Sequence, residues 1–141
     1  MEDSEVLKEA FGHLEQLQVS YMATIEDDQP RVRAMMLIYH EGKLYYATDT
    51  SDEKVPQVTK NPKVEVCVLL GEDDNGGSLR ISGEAEFIYH EDTRNTIHGC
   101  IGFIQGFWEN PQDPAFVLWE VKPQEIRYMR PGTIEIYKLK L

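Results

Sequence analysis

Cysteine is scarce in this chain, with Cys67 and Cys100 the only two among 141 residues. Two thiols without C-x-x-C spacing cannot staple a secreted scaffold, so they read as free thiols. Long apolar runs are missing too, which excludes a bilayer-spanning helix. Met1-Glu2-Asp3 is acidic where a secretory leader would be basic, so the expected location is the cytoplasm. Positive charge is in deficit, with 14 Lys and Arg against 25 Asp and Glu and a net charge of −11. That balance argues against nucleic acid, whose affinity rests on clustered cations, and against an anionic membrane surface.

Catalytic signatures are also sparse. No Gly-rich loop joins a strand to a helix, so neither a Walker nor a dinucleotide fingerprint is present. His13, His40, His90 and His98 are scattered, and the single close pair, His98-x-Cys100, does not make a tetrahedral metal site. The acidic runs at 26–28, 52–53 and 72–74 read as solvated turns, and no Ser/His/Asp order stands out, so a hydrolase is unsupported. What remains is a chain of 41% hydrophobic residues without low-complexity segments, which fits one compact domain over 1–141.

Within that acidic chain one window is different. Residues 31–63 hold six of the 14 Lys and Arg (31, 33, 43, 54, 60, 63) against four acids (41, 49, 52, 53), a local net of +2. The remainder has 8 bases against 21 acids, or −13. A positive window in a negative molecule points to a bound anion.

The periodicity is mostly that of strands. Residues 4–17 place Leu7, Ala10, Phe11, Leu14 and Leu17 on one helical face, with Ser4 or Asp3 as the expected cap. From Val19 the pattern turns to β: Val19–Ile25, a turn at 26–30 that should contain Pro30 because proline cannot donate to a ladder, then Arg31–Tyr39. A tight turn at His40-Glu41-Gly42 leads to Lys43–Ala47, and the three strands form a meander. A short helix follows over Glu53–Lys60 and ends at Asn61-Pro62. Val64, Val66, Val68 and Leu70 alternate in the next strand. The acidic glycine-ended loop 71–77 separates it from a long strand, Ser78–Tyr89, in which Gly83 suggests a bulge. Residues from Asp92 to Cys100 read as helix and the Gly-punctuated stretch after it as loop, delivering Phe107 and Trp108 to a polar connection. Ala115–Val121, Glu125–Met129 and Thr133–Leu139 are the last expected strands. Short strands with frequent turns and few helices describe a mainly β, closed antiparallel barrel with helical lids.

The order of Tyr21-Met22-Ala23-Thr24, Pro30-Arg31-Val32-Arg33-Ala34-Met35, Leu44-Tyr45-Tyr46-Ala47-Thr48, Ser51 to Lys54 and Asn61-Pro62-Lys63-Val64 resembles the FMN-binding split-barrel family, the pyridoxamine-5'-phosphate-oxidase-like flavoproteins. The resemblance implies a six-stranded antiparallel split β-barrel with peripheral helices, a homodimer with FMN at the subunit interface, and a small-molecule redox substrate. By position it carries the phosphate-binding role to Arg33 and Lys54, with Thr48 and Ser51 beside them; a phosphate needs converging cations and hydroxyl donors. Ala34, Met35 and Met36 are the expected packing and backbone contacts of the ring, and Ala47 is small enough to let it approach. Phe107 and Trp108 are the expected cover, from the neighbouring subunit. Asp52-Glu53 stand where the family's oxidases often have a second cation, and no residues match a pyridoxamine phosphate subsite. The short chain is similar to the family's small members, some of them like nitroimidazole-resistance reductases. The expected function is therefore FMN-dependent reduction or oxidation of a small molecule. A flavin-binding sensor or carrier, or a barrel holding haem or a deazaflavin, are the alternatives.

Overall fold

The computed structural model describes residues 1–71 and 76–141, so the acidic part of the loop expected at 71–77 lies outside the described residues. Alternation dictates the strands. In β4 (Lys63–Leu70) Val64, Val66, Val68 and Leu70 are all buried while the residues between them are not. β1 (Leu17–Glu26) and β2 (Gln29–His40) pair in register from Leu17↔Ile38 to Glu26↔Gln29 around the two-residue turn Asp27-Asp28. β2 joins β3 (Lys43–Asp49) through Glu41 and Gly42, both at positive φ (48° and 76°), as a type I′ hairpin turn requires.

The meander is closed by the second half of the chain. After α2 (Lys54–Lys60), β4 returns to β1, and β5 (Gly77–Phe87) pairs with β4. β6 (Phe116–Met129) then pairs with β5 and, from Leu44↔Val121 to Asp49↔Phe116, with β3. The ring β3-β2-β1-β4-β5-β6 is thus a six-stranded antiparallel barrel, and β7 (Ile136–Lys140) adds outside it to the later half of β6. Met22, Leu37, Leu44, Tyr46, Leu79, Ile81, Trp119 and Ile126 fill the interior. α1 (Asp3–Gly12) contributes Val6 and Ala10 to that same core and is tied to the barrel by Tyr128, whose hydroxyl donates to Glu9 at 2.7 Å.

A second, smaller core lies outside the barrel wall. Tyr46 points in, and its neighbour Tyr45 points out with Ile38, Phe116 and Leu118 toward α3 (Glu91–Cys100) and α4 (Gly102–Phe107), which supply Ile97 and Ile104. This helical layer brings Trp108 to β3.

Several boundaries differ from expectation. The first helix stops at Gly12 rather than reaching 17, because Leu17 is taken by the ladder opposite Ile38. Its cap is Glu2, with no side-chain bond from Asp3 or Ser4. Pro30 sits inside β2 opposite Ile25; β3 pairs with β2 only over Ile38–His40, so at Pro30 that side is an edge and no ladder bond is lost. The strands expected at Ala115–Val121 and Glu125–Met129 are one strand, bent where the register shifts between Ser82 and Gly83 and where Gly83 faces Pro123. The stretch expected as loop after Cys100 contains α4. Among the described residues no helix is long and apolar enough to cross a membrane.

Candidate functional site

Ala34, Met35 and Met36 of β2, Ala47 and Thr48 of β3, Lys54 at the start of α2, and Phe107 and Trp108 at the end of α4 line one cleft of about 510 Å³, together with Asp49, Asp52 and Phe103. Eight of the ten residues expected to contact a cofactor therefore converge. Arg33 and Ser51 do not line it. Within the single chain Phe107 and Trp108 line the same cleft as the rest of the wall.

The wall is apolar on the α4 side. Trp108 is 6% exposed and stacks on Phe116 with ring centroids 5.2 Å apart, while Phe107 is 75% exposed at the rim. Asp49 fixes the indole: its Oδ2 accepts from Trp108 Nε1 at 3.3 Å, and its Oδ1 accepts from the Ser51 backbone N–H and hydroxyl. The Ser51 backbone and hydroxyl bonds, then the Trp108 bond, hold the Asp49 carboxyl below the usual carboxylate range. Ser51 is thereby spent on shaping the turn.

The opposite end is polar. Lys54 is 8% exposed; its Nζ donates to Thr48 Oγ1 at 3.1 Å and pairs with Asp52 Oδ2 at 2.7 Å. Burial works against the Asp52 charge, but the Lys54 hydrogen bonds and charge, with Arg33 assisting, outweigh it and keep the carboxyl below its ordinary range. Asp52 also accepts the Lys54 backbone N–H at 3.0 Å, which starts α2.

Arg33 stands on the other face of β2. It pairs opposite Met22, and its guanidinium donates to Thr24 Oγ1 at 2.8 Å, Gln57 Oε1 at 2.9 Å and, weakly, Met22 O at 3.3 Å. Burial pulls its pKa below the usual guanidinium value, with Asp52 and Glu53 opposing. Three of its five N–H groups are used in these bonds. Arg33 thus joins β1, β2 and α2 behind the polar end of the cleft.

Asp49 and Phe103 were missed by the sequence reading. Phe103 and Phe107 are four residues apart, a helical spacing hidden by Gly102 and Gly106, and Asp49-x-Ser51 is a turn-forming pattern. A second cleft of about 540 Å³, bordered by Val55, Phe87, Tyr89 and Val117, is apolar, and its one cation, Arg94, spends its donors on the carbonyls of Ile88, Pro111, Asp113 and Phe116. The first cleft is the better candidate because it sets an aromatic wall opposite an ammonium paired to a partly exposed carboxylate, whereas the second, which also has aromatic and polar lining residues, has a cation fully engaged with backbone carbonyls.

The family model described as pyridoxamine 5'-phosphate oxidase matches residues 6–130. General stress protein 26 of Bacillus subtilis (strain 168) is 24% identical over 136 residues, 94% of each chain. The crystal structure of General Stress Protein 26 from Bacillus anthracis str. Sterne is 26% identical, covers 96% of this chain and 98% of its own, and superposes with a TM-score of 0.75. A NimC/NimA family protein from Clostridium acetobutylicum is 26% identical with 95% and 94% coverage and the same TM-score of 0.75. The fold alone is shared with an FAD-binding protein from Mesorhizobium loti (21% identity, 84% and 89% coverage, TM-score 0.70) and a haem-binding protein from Mycobacterium smegmatis (13%, 89% and 53%, 0.73).

Proposed function

This chain belongs to the pyridoxamine 5'-phosphate oxidase family, and on that premise we propose that the β2–β3–α4 cleft binds a flavin, FMN, in an oxidoreductase acting on a small molecule. The carrying observation is the cleft's two-ended chemistry. An apolar wall of Met36, Phe103, Phe107 and Trp108 faces a hydroxyl and an ammonium, Thr48 and Lys54, within about 510 Å³, a volume inside the range of about 300–1,000 Å³ usual for small-molecule sites. Lys54 and Thr48 would hold the phosphate, with Arg33 adding its free N–H groups from behind; Ala34–Met36 and Ala47 would pack the ring, and Ser51 acts by shaping the turn. A bound flavin supplies the redox chemistry, taking up and returning a hydride or single electrons. The chain's own residues position it: Asp49 keeps the Trp108 indole in one orientation, and the aromatic rim limits water. Haem is less well served, since the lining offers Met35 and Met36 but neither histidine nor cysteine as an axial ligand.

The second proposal is a homodimer. By alternation Leu17, Val19, Tyr21, Ala23 and Ile25 of β1 share the outer sheet face with Pro30, Val32, Ala34 and Met36 of β2, and none is charged. Val32 is 71% exposed. In a chain of net charge −11 this neutral apolar face suits a second copy, which would meet no like charge there. Ala34 and Met36 belong both to this face and to the cleft, so the copy would complete the cleft's open side. A cytoplasmic setting agrees with two free thiols.

Purified protein should be yellow and release flavin on denaturation. Bleaching by NADH or NADPH, then reoxidation by a nitroaromatic or quinone, would distinguish turnover from a sensor or carrier. Colourless protein that ignores added FMN would sink the reading.

A further inference from the structure

The cleft's polar end has one cation and two carboxylates among its lining residues, Lys54 against Asp49 and Asp52. Asp49 is committed to Trp108 and Ser51. Asp52 is tied only to Lys54: its Oδ1 accepts the Lys54 backbone N–H, and its Oδ2 occupies the ammonium that a phosphate would need, at 2.7 Å, while its side chain remains 39% exposed. We propose that Asp52 is a specificity-determining residue of this cleft, a resident competitor that an incoming phosphate must displace from Lys54, so that the site discriminates only weakly between FMN and the uncharged riboflavin. This rests on the flavin reading above.

The physical reason is exchange. A phosphate arriving at free Lys54 gains a new charge-assisted bond, whereas at this Lys54 it gains one bond and breaks another of the same kind. It must also approach a carboxylate that stays nearby, because Asp52 is held by the Lys54 backbone N–H as well. The ring end of the ligand meets none of this. The penalty therefore falls on the phosphate alone, which is what makes it a matter of selectivity rather than of overall affinity.

Asp52→Asn is the informative variant, since its amide oxygen can still accept the Lys54 N–H and start α2, while the negative charge is gone. FMN and riboflavin are titrated separately into wild-type and D52N protein, following flavin fluorescence, with thermal melts of the ligand-free proteins as the check on folding. The expected result is an FMN affinity raised about tenfold or more with riboflavin changed less than about twofold, the signature of removing a like charge beside the phosphate. Lys54→Met should then cancel the gain in the D52N background. If D52N weakens FMN, Asp52 serves to orient Lys54 and the proposal is overturned; it is overturned equally if both flavins shift together or neither shifts. Those failures leave the flavin reading intact, whereas absence of binding by both flavins in every variant removes the two together.

Discussion

Replacing Arg33 by alanine tests whether this residue is part of the frame of the site. Its guanidinium bonds Thr24 and Gln57, which are 1% and 5% exposed, at 2.8 and 2.9 Å, and these link the β1–β2 hairpin to α2. A hydrogen bond from a charged donor is worth about 1.5–3 kcal/mol when desolvated. Arg33 is only half-buried, and Thr24 keeps its 2.7 Å bond to Gln57 without it, so no acceptor is orphaned. The long bond to Met22 O adds little. Partial exposure and the absence of an orphaned acceptor bring the expected loss below the roughly 3 kcal/mol that two such bonds give at the lower end, to about 2 kcal/mol in the ligand-free protein. For a chain of this length that corresponds to a fall in Tm of roughly 6–10 °C. Urea unfolding of flavin-free wild type, Arg33→Ala and Arg33→Lys would measure it. The lysine variant should recover less than half, because an ammonium cannot reproduce the planar fork that reaches Thr24 and Gln57 together. Ligand-free R33A within about 0.5 kcal/mol of wild type, the scatter usual for a surface change, would refute the reasoning and return Arg33 to a purely ligand-facing role.

Gly83→Ala should destabilise by about 1–3 kcal/mol or more in chemical denaturation, since its Cβ would stand 2.1 Å from the Lys122 carbonyl oxygen at the bulge and only backbone can yield. Val32→Glu, on the exposed outer face, should convert a dimer to monomers in light-scattering chromatography while leaving the monomer folded. An unchanged dimer would move the interface elsewhere. Alkaline stability should fall early: burial raises the pKa of Tyr46, and burial together with the Glu9 bond raises that of Tyr128. Both stay neutral in the folded protein above pH of about 10, where unfolded tyrosine ionises, so stability is intact below that pH and declines above it by up to about 1.4 kcal/mol per pH unit for each. Tyrosinate absorbance of these two rings should then appear together with unfolding and not before it.

The barrel was readable because its evidence is local. Val64 to Leu70 alternates without exception, Glu41-Gly42 has turn chemistry, and Gly83 marks the bulge. Elements were misjudged where a distant partner overrides the local signal. Leu14 and Leu17 continue the helical stripe of α1, yet Leu17 gains a ladder partner in Ile38 and leaves the helix. Pro123 reads as a break between strands, yet β5 carries a matching irregularity at Gly83 that absorbs it, and β6 continues. In each case the deciding residue lies far off in sequence, and no window around the misread position contains it.

The site divides along the same line, and its division comes from the period of a strand. Ala34 and Met36 alternate with Arg33 and Met35; Met35 still borders the cleft, whereas Arg33 on its face does not, its guanidinium being drawn to Thr24 and Gln57. The positive window over 31–63 suggested an anion site by counting charges, but counting ignores facing. Arg33 turns toward Thr24 and Gln57, and Arg31 pairs with Glu26. Lys60 pairs with Asp27, and Lys54 is already held by Asp52. The local excess of cations is thus largely spent on carboxylates and carbonyls inside and beside the window. What persists at the cleft is one ammonium whose partner can be exchanged. Recognition of an anion there depends less on how many cations the segment holds than on how readily Asp52 gives one up.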